Sequence, residues 1–426
     1  MGALGRGLIL AMAMSFVFAG LARSAEQTTI ELWWGDGAGG AEEFAVILEE
    51  FHQTYPWIRV DLANQGVHIA FTGAGADKFK TSVAAGVPAD IVYLDATAVL
   101  GLALADKVLV PLNELLDDAF LDSIPYLDAP RSYVEVGGQH FGLQFRTDSR
   151  GLYYNRDLYL EAGLDMNTGP RDMDELYVYA QRLTRWTADG GTERLGFVPR
   201  GNNFGNGLGW FWIFGGKVFD RESLLPTFTG NPAHLGALEW ILSYVDLYGA
   251  TASVNPQRFM SGEVAMIVQS TTWLANFAQQ APHLDWSVSE IPHPPEGKRT
   301  TLSSGSAFVV PRGATLSEGL STLLRFLARK ETQMAWYRLT EQPPARLDAV
   351  LELIQLGEVA DPRARVMWEL MPVAEGYPPL FASHVIGGLN QSLDRMRARQ
   401  ITPNQVLEDL QRTLEPEFRR LLRSGE

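Results

Sequence analysis

The most specifically spaced residues in the chain are Gly35-Asp36-Gly37-Ala38-Gly39-Gly40, a G-x-G-x-x-G run after a strand pattern and before a helix pattern, with Asp61 about 20 residues further on. Alone, that spacing describes a dinucleotide pyrophosphate held on backbone amides at a helix N-terminus. Asp61, however, falls inside its strand pattern and not at its end. The chain also begins with an export-type leader that has no twin-arginine pair, which favours passage of an unfolded, cofactor-free chain. The plainer reading is a glycine-rich strand-to-helix turn whose amides hold a ligand oxygen.

Other chemistries are excluded by composition. The 426 residues contain no cysteine, which removes disulfide scaffolds, thiolate zinc or iron–sulfur ligation, cysteine nucleophiles and a lipid-modified cysteine anchor. His52, His68, His140, His234, His283, His293 and His384 form neither H-E-x-x-H nor a close pair, so no metal site is expected. No G-x-S-x-G or Walker A motif occurs. The 50 acids leave room for a glycosidase-type carboxylate pair, which no motif locates. With 35 basic residues against those 50, the net charge is −15, and nucleic acid is not an expected partner.

The aromatic content points elsewhere. Eleven tryptophans include Trp33-Trp34 at the end of the first strand pattern, Trp210 and Trp212 in a glycine-flanked run, and Trp273 after Ser270-Thr271-Thr272. Aromatic faces suit the C–H side of a sugar ring while neighbouring polar groups take its hydroxyls; core packing is the competing reading for each. Trp34 and Asp95 stand where parallel strands meet their turns, and ligands of open α/β sheets bind outside the carboxyl ends of strands. Asp95 has helix capping as its alternative role.

These residues must be positioned by a regular frame. Residues 1–24 carry Arg6, no acid and a short apolar run from Leu8 to Ala19, and read as a cleavable export signal. Strands are then expected at 29–34, 58–63 and 90–94, alternating with helices at 41–55, 78–85 and 97–105. Phe44, Ile47, Leu48 and Phe51 form the stripe of the first helix. This is the βαβαβα pattern of a parallel sheet. Strands at 139–144 and 151–155 flank the polar stretch Arg146-Thr147-Asp148-Ser149, a crossing between two lobes. Further helices are expected at 172–186 and 232–248, and strands at 265–269 and 306–310. Thr402, Pro403 and Gln405 spell the start of the last helix as a capping box. Pro292 to Gly297 and Gln342 to Pro344 read as proline-rich loops.

Five fragments, in order, carry a family resemblance: Ile30-Glu31-Leu32-Trp33-Trp34, Ala89-Asp90-Ile91-Val92, Gly151-Leu152-Tyr153-Tyr154-Asn155-Arg156-Asp157, Phe259-Met260-Ser261-Gly262-Glu263-Val264-Ala265-Met266 and Ser304-Gly305-Ser306-Ala307-Phe308-Val309-Val310. Together they resemble the extracellular solute-binding proteins, family 1, of ABC importers, over almost the whole chain after the leader. The resemblance implies an α/β, two-lobe periplasmic binding protein fold of type II, each lobe a mostly parallel sheet flanked by helices, with a cleft at the hinge. Lobe 1 would span 25–144 with a return segment near 285–340, and lobe 2 would span 145–284 with C-terminal helices near 341–426. By the same resemblance the cleft is lined by Trp34, Asp36, Asp95, Arg146, Thr147, Asp148, Trp210, Trp212, Trp273, Gly305 and Ser306. Trp34 and Trp273 would be stacking residues, and Asp36, Asp95 and Arg146 hydrogen-bonding ones.

The implied function is a periplasmic receptor, without cofactor, metal or lipid anchor. It binds a sugar, oligosaccharide or polyol as a monomer and delivers it to inner-membrane ABC permease subunits by hinge closure. Family members that bind glycerol phosphate place a basic group in the C-terminal cleft loop. The stretch Tyr377-Pro378-Pro379-Leu380-Phe381-Ala382-Ser383-His384 has no arginine, which argues against a phosphorylated ligand. A secreted carbohydrate-active enzyme is the alternative reading of the same aromatic and carboxylate content, and an exported oxidoreductase is a more distant one.

Overall fold

The computed structural model describes residues 27–36, 39–70, 73–220, 222–378 and 386–423. The export segment, Gly37-Ala38 of the glycine turn and the C-terminal loop from Pro379 to His384 lie outside the described residues.

The first sheet grows from three parallel strands, Ile58–Asn64, Thr28–Trp34 and Ile91–Asp95, in that spatial order. Alternation in Thr28–Trp34 turns Ile30, Leu32 and Trp34 inward, whereas Ile91 to Leu94 are buried on both faces, as befits a central strand. Helix Ala41–Thr54 covers one face with the expected stripe, Phe44, Ile47, Leu48 and Phe51. Its entry residue, Gly40, has φ +80, and a Cβ there would lie 2.7 Å from the Trp336 ring. Close packing and a left-handed turn therefore account for this glycine. Strand Gly305–Pro311 returns late in the chain, antiparallel to Ile91–Asp95, and Leu143–Thr147 pairs antiparallel to it in turn. Two antiparallel steps restore direction, so Leu143–Thr147 ends at the same edge of the sheet as the parallel strands.

The second sheet has three strands, Met266–Ser270, Arg150–Asn155 and Trp286–Ser289, and all its pairings are antiparallel. Here the expectation of a mostly parallel sheet in each lobe is corrected: burial of a strand on both faces reads alike in either direction. Trp286–Ser289 belongs to this second sheet, and the chain re-enters the first only at Gly305–Pro311. The core of this lobe includes Leu152, Phe204, Trp210 and Leu238 together with Leu389, Val406 and Phe418 from the C-terminal helices.

Three local expectations also change. Residues 96–105 form a 3-10 turn (Ala96–Ala98) followed by a wider turn (Gly101–Ala105) in place of a regular helix. The strand expected at 139–144 is a short hairpin strand, Gln139–His140, followed by Leu143–Thr147. Arg146 and Thr147 therefore lie in a strand, not in a polar insertion. The last helix starts as expected: Thr402 N–H donates to Gln405 Oε1 at 2.8 Å and Gln405 N–H to Thr402 Oγ1 at 3.3 Å. No described helix is long and apolar enough to cross a membrane.

Candidate functional site

Parallel strands bring their carboxyl ends together, and two acids stand there. Asp36 follows Thr28–Trp34, and Asp95 ends Ile91–Asp95. His68, held by a backbone bridge to Asp36, sits between them, with Nδ1 3.4 Å from Asp36 and Nε2 3.3 Å from Asp95. Arg146 reaches the same edge from Leu143–Thr147 and meets Asp36 at 3.0 Å. Hydrogen bonds from Asp36 and then Asp95 raise His68 to about 9, against some desolvation. Burial alone would raise Asp36, but Arg146 and His68 more than offset it and hold the carboxyl at about 2. Two carboxylates thus meet two cations, and the cluster has no charge left over. Asp95 also accepts from the Thr97 N–H at 2.9 Å and hydroxyl at 2.6 Å, so it caps the following turn as well.

One step along the chain, Thr147, Asp148 and Arg150 of the crossing between the lobes are engaged in hydrogen bonds, while the buried Ser306 hydroxyl has no partner among the described residues. Asp148 pairs with Arg150 and accepts from the Ser304 N–H at 2.6 Å and hydroxyl at 2.9 Å. Arg150 donates onward to the Leu302 carbonyl at 3.2 Å and Ser304 Oγ at 3.1 Å. The Thr147 hydroxyl lies 2.7 Å from Ser303 Oγ. A Cβ on Gly305 would fall 2.3 Å from the Arg146 carbonyl, so the two crossing strands touch backbone to backbone. Ser306 is buried between Asp95 and Arg146, its Cα partners in the neighbouring strands.

A cavity of about 430 Å³ opens between the lobes beside this crossing. Arg146, Thr147, Tyr337, Glu341 and Gln342 line it from the first-lobe side, and Thr271, Thr272, Leu274 and Asn276 from the second. Its volume falls in the range of small-molecule pockets, on the order of 300–1,000 Å³. Three buried polar atoms on its wall have no hydrogen-bond partner among the described residues: Arg146 Nε, Thr271 Oγ1 and Gln342 Oε1. Native proteins rarely leave such groups unmatched without a ligand or water to match them. Among the charged side chains of the wall, Arg146 pairs with Asp36, Arg363 with Asp361 and Glu358 with Arg338. A second interlobe cavity, about 890 Å³, has Trp212, Lys217 and Tyr377 on its wall and none of the unmatched buried atoms.

The structure thus divides the expected site residues. Asp36, Asp95 and Arg146 come together at the sheet edge, and of these Arg146 reaches the cavity wall together with Thr147. Asp148, Gly305 and Ser306 belong to the crossing. Trp34 is fully buried, stacked on Tyr93 at 4.0 Å with Nε1 donating to the Gly39 carbonyl at 2.8 Å, and offers no face to a ligand. Trp210 is core, packed on Phe204 and Trp240. Trp212 is buried on the other cavity's wall. Trp273 is half-buried with its ring on Phe277 at 5.1 Å, while its neighbours Thr271, Thr272 and Leu274 form the wall. Sequence reasoning passed over His68, Thr271, Glu341 and Gln342. Thr271 was visible only as part of the approach to Trp273, and Gln342 only as part of a proline-rich loop.

The family model of the bacterial extracellular solute-binding protein matches residues 36–334. The sn-glycerol-3-phosphate-binding periplasmic protein UgpB of Salmonella typhimurium is 25% identical over 353 residues, covering 80% of this chain and 78% of its own. UgpB of Rhizobium meliloti is 24% identical over 359 residues, with 79% and 80% covered. Among solved structures, CpMnBP1 with mannobiose bound is similar at TM-score 0.72 and 25% identity, covering 91% of this chain and 99% of that one. UgpB of Mycobacterium tuberculosis in complex with glycerophosphocholine, at 21% identity, TM-score 0.71 and coverage of 93% and 98%, shares the fold.

Proposed function

The chain belongs to the bacterial extracellular solute-binding proteins, and from that premise we propose that it is the exported receptor of an ABC importer that captures a sugar, oligosaccharide or polyol in the 430 Å³ interlobe cavity. As a member of that family it is a binding protein and not a catalyst, which sets aside the enzyme readings of its acids and its glycine turn.

The carrying observation is a cavity lining that comes from both lobes: Arg146, Thr147 and Gln342 from one wall and Thr271, Thr272 and Asn276 from the other. A ligand bridging them binds the closed arrangement better than the open one, and only such a difference drives closure. The pairing of Arg146 with Asp36 and of Arg363 with Asp361 supports a ligand without a phosphate. An anion would have to displace a carboxylate from a partly buried pair. Arg146 and Thr147 are the first-lobe contacts in this reading, with Asp36 holding Arg146, and Thr271 is the second-lobe contact. The partner is the permease of the importer, met by a monomer after removal of residues 1–24.

Calorimetric titration with glucose, maltose, mannobiose and glycerol 3-phosphate tests it, with scattering to follow closure. A sugar should bind one-to-one, contract the molecule and be recovered unchanged. Binding of glycerol 3-phosphate in preference to every sugar, or binding without contraction, would overturn the reading.

A further inference from the structure

We propose that the ligand carries a positively charged nitrogen, as in an amino sugar with a free ammonium, and that Glu341 receives it; this rests on the sugar or polyol reading and narrows it. Once Arg146, Arg363 and Glu358 are matched with their partners, one ionic group on the cavity wall stays unbalanced. Glu341 is exposed at the cavity and has no ion-pair partner among the described residues. The cavity's residual charge is therefore negative.

The backbone at Glu341 makes the same point independently. It has φ +59 and ends helix Lys330–Thr340 in the left-handed region. Glycine is the usual residue at such a cap, and asparagine the usual exception. Glutamate gains no local hydrogen bond there, and a strained residue on a ligand wall points to use of its side chain. Of the four described non-glycine residues with positive φ, Lys107, Leu224, Glu341 and Arg399, Glu341 alone lines this cavity.

The hydrogen-bond inventory agrees. Gln342 and Thr271 line the same cavity, the one with an amide oxygen, which only accepts, and the other with a hydroxyl that can accept. An ammonium supplies three donors where a sugar hydroxyl supplies one.

The test uses the mature protein and matched probes. These are glucose, N-acetylglucosamine and glucosamine, with cellobiose, N,N′-diacetylchitobiose and the corresponding free-amine disaccharide, titrated at mildly acidic pH where the amine is charged. A free-amine probe should bind at least about tenfold more tightly than its acetylated and hydroxyl counterparts, as expected when a charged donor is lost. Glu341→Gln should abolish that preference. Glu341→Gly suits the left-handed backbone, so it removes the carboxylate without a folding penalty and should abolish the preference too. Neutral sugars binding as tightly as their amines, or a preference that survives both variants, would overturn this inference and leave the sugar receptor standing. Failure of every probe, with glycerol 3-phosphate bound instead, would overturn both.

Discussion

Two neighbouring stretches of one polar run behave in opposite ways. From Thr147 to Arg150, at the crossing between the lobes, the side chains are bonded among themselves and to Ser303 and Ser304. One residue earlier, Arg146 donates from Nη2 to both oxygens of Asp36 and lines the cavity, its Nε without a partner among the described residues. The difference teaches that neighbouring polar residues divide by what surrounds them: Asp148 and Arg150 are buried and paired where the two lobes join, while Arg146 and Thr147 lie on the wall of the cavity.

Breaking the hinge should have the largest effect. Asp148→Asn leaves Arg150 buried without its counter-charge, and a loss of about 3–5 kcal/mol is expected by denaturant titration. If stability holds, the pair does not lock the crossing. Breaking the wall should instead cost binding and not folding. Thr271→Val removes a hydroxyl that has no partner among the described residues, so the melting temperature should stay put. Affinity for the best sugar should fall about tenfold, the worth of roughly one hydrogen bond. A drop in stability with unchanged affinity would invert the comparison.

The smallest effect sharpens the boundary. His68 is raised from 6.5 to about 9 by Asp36 and Asp95, so its contribution to stability is complete below pH 6.5 and is lost as pH rises towards 9. With the side chain 47% exposed, solvent screening reduces that contribution to roughly 1 kcal/mol. His68→Gln should flatten this alkaline limb of the stability profile. The acid limb, where Asp36 loses its contribution as pH falls from 3.8 towards 2, should persist through the pair with Arg146. An unaltered alkaline limb would mean that the imidazole does not hold the two acids together.

Much of this protein is determined by its sequence alone. The stripe of Phe44, Ile47, Leu48 and Phe51, the capping box at Thr402 and Gln405, and the strand-end positions of Asp36 and Asp95 are local facts, written in periods and caps that hold in any fold containing those elements. The fragments of the family pattern, being ordered along the chain, were equally legible. Tertiary structure alone decided the rest, because burial and pairing depend on residues far apart in sequence. Trp34 became core because Trp336 and Phe44 close over it, and strand direction in the second sheet was set by pairings more than a hundred residues apart. Thr271 and Gln342 gained their place only when helices from the two lobes met across one cavity. A hydroxyl or an amide carries no mark in the sequence that says whether its hydrogen bond will be made at home or left for a guest.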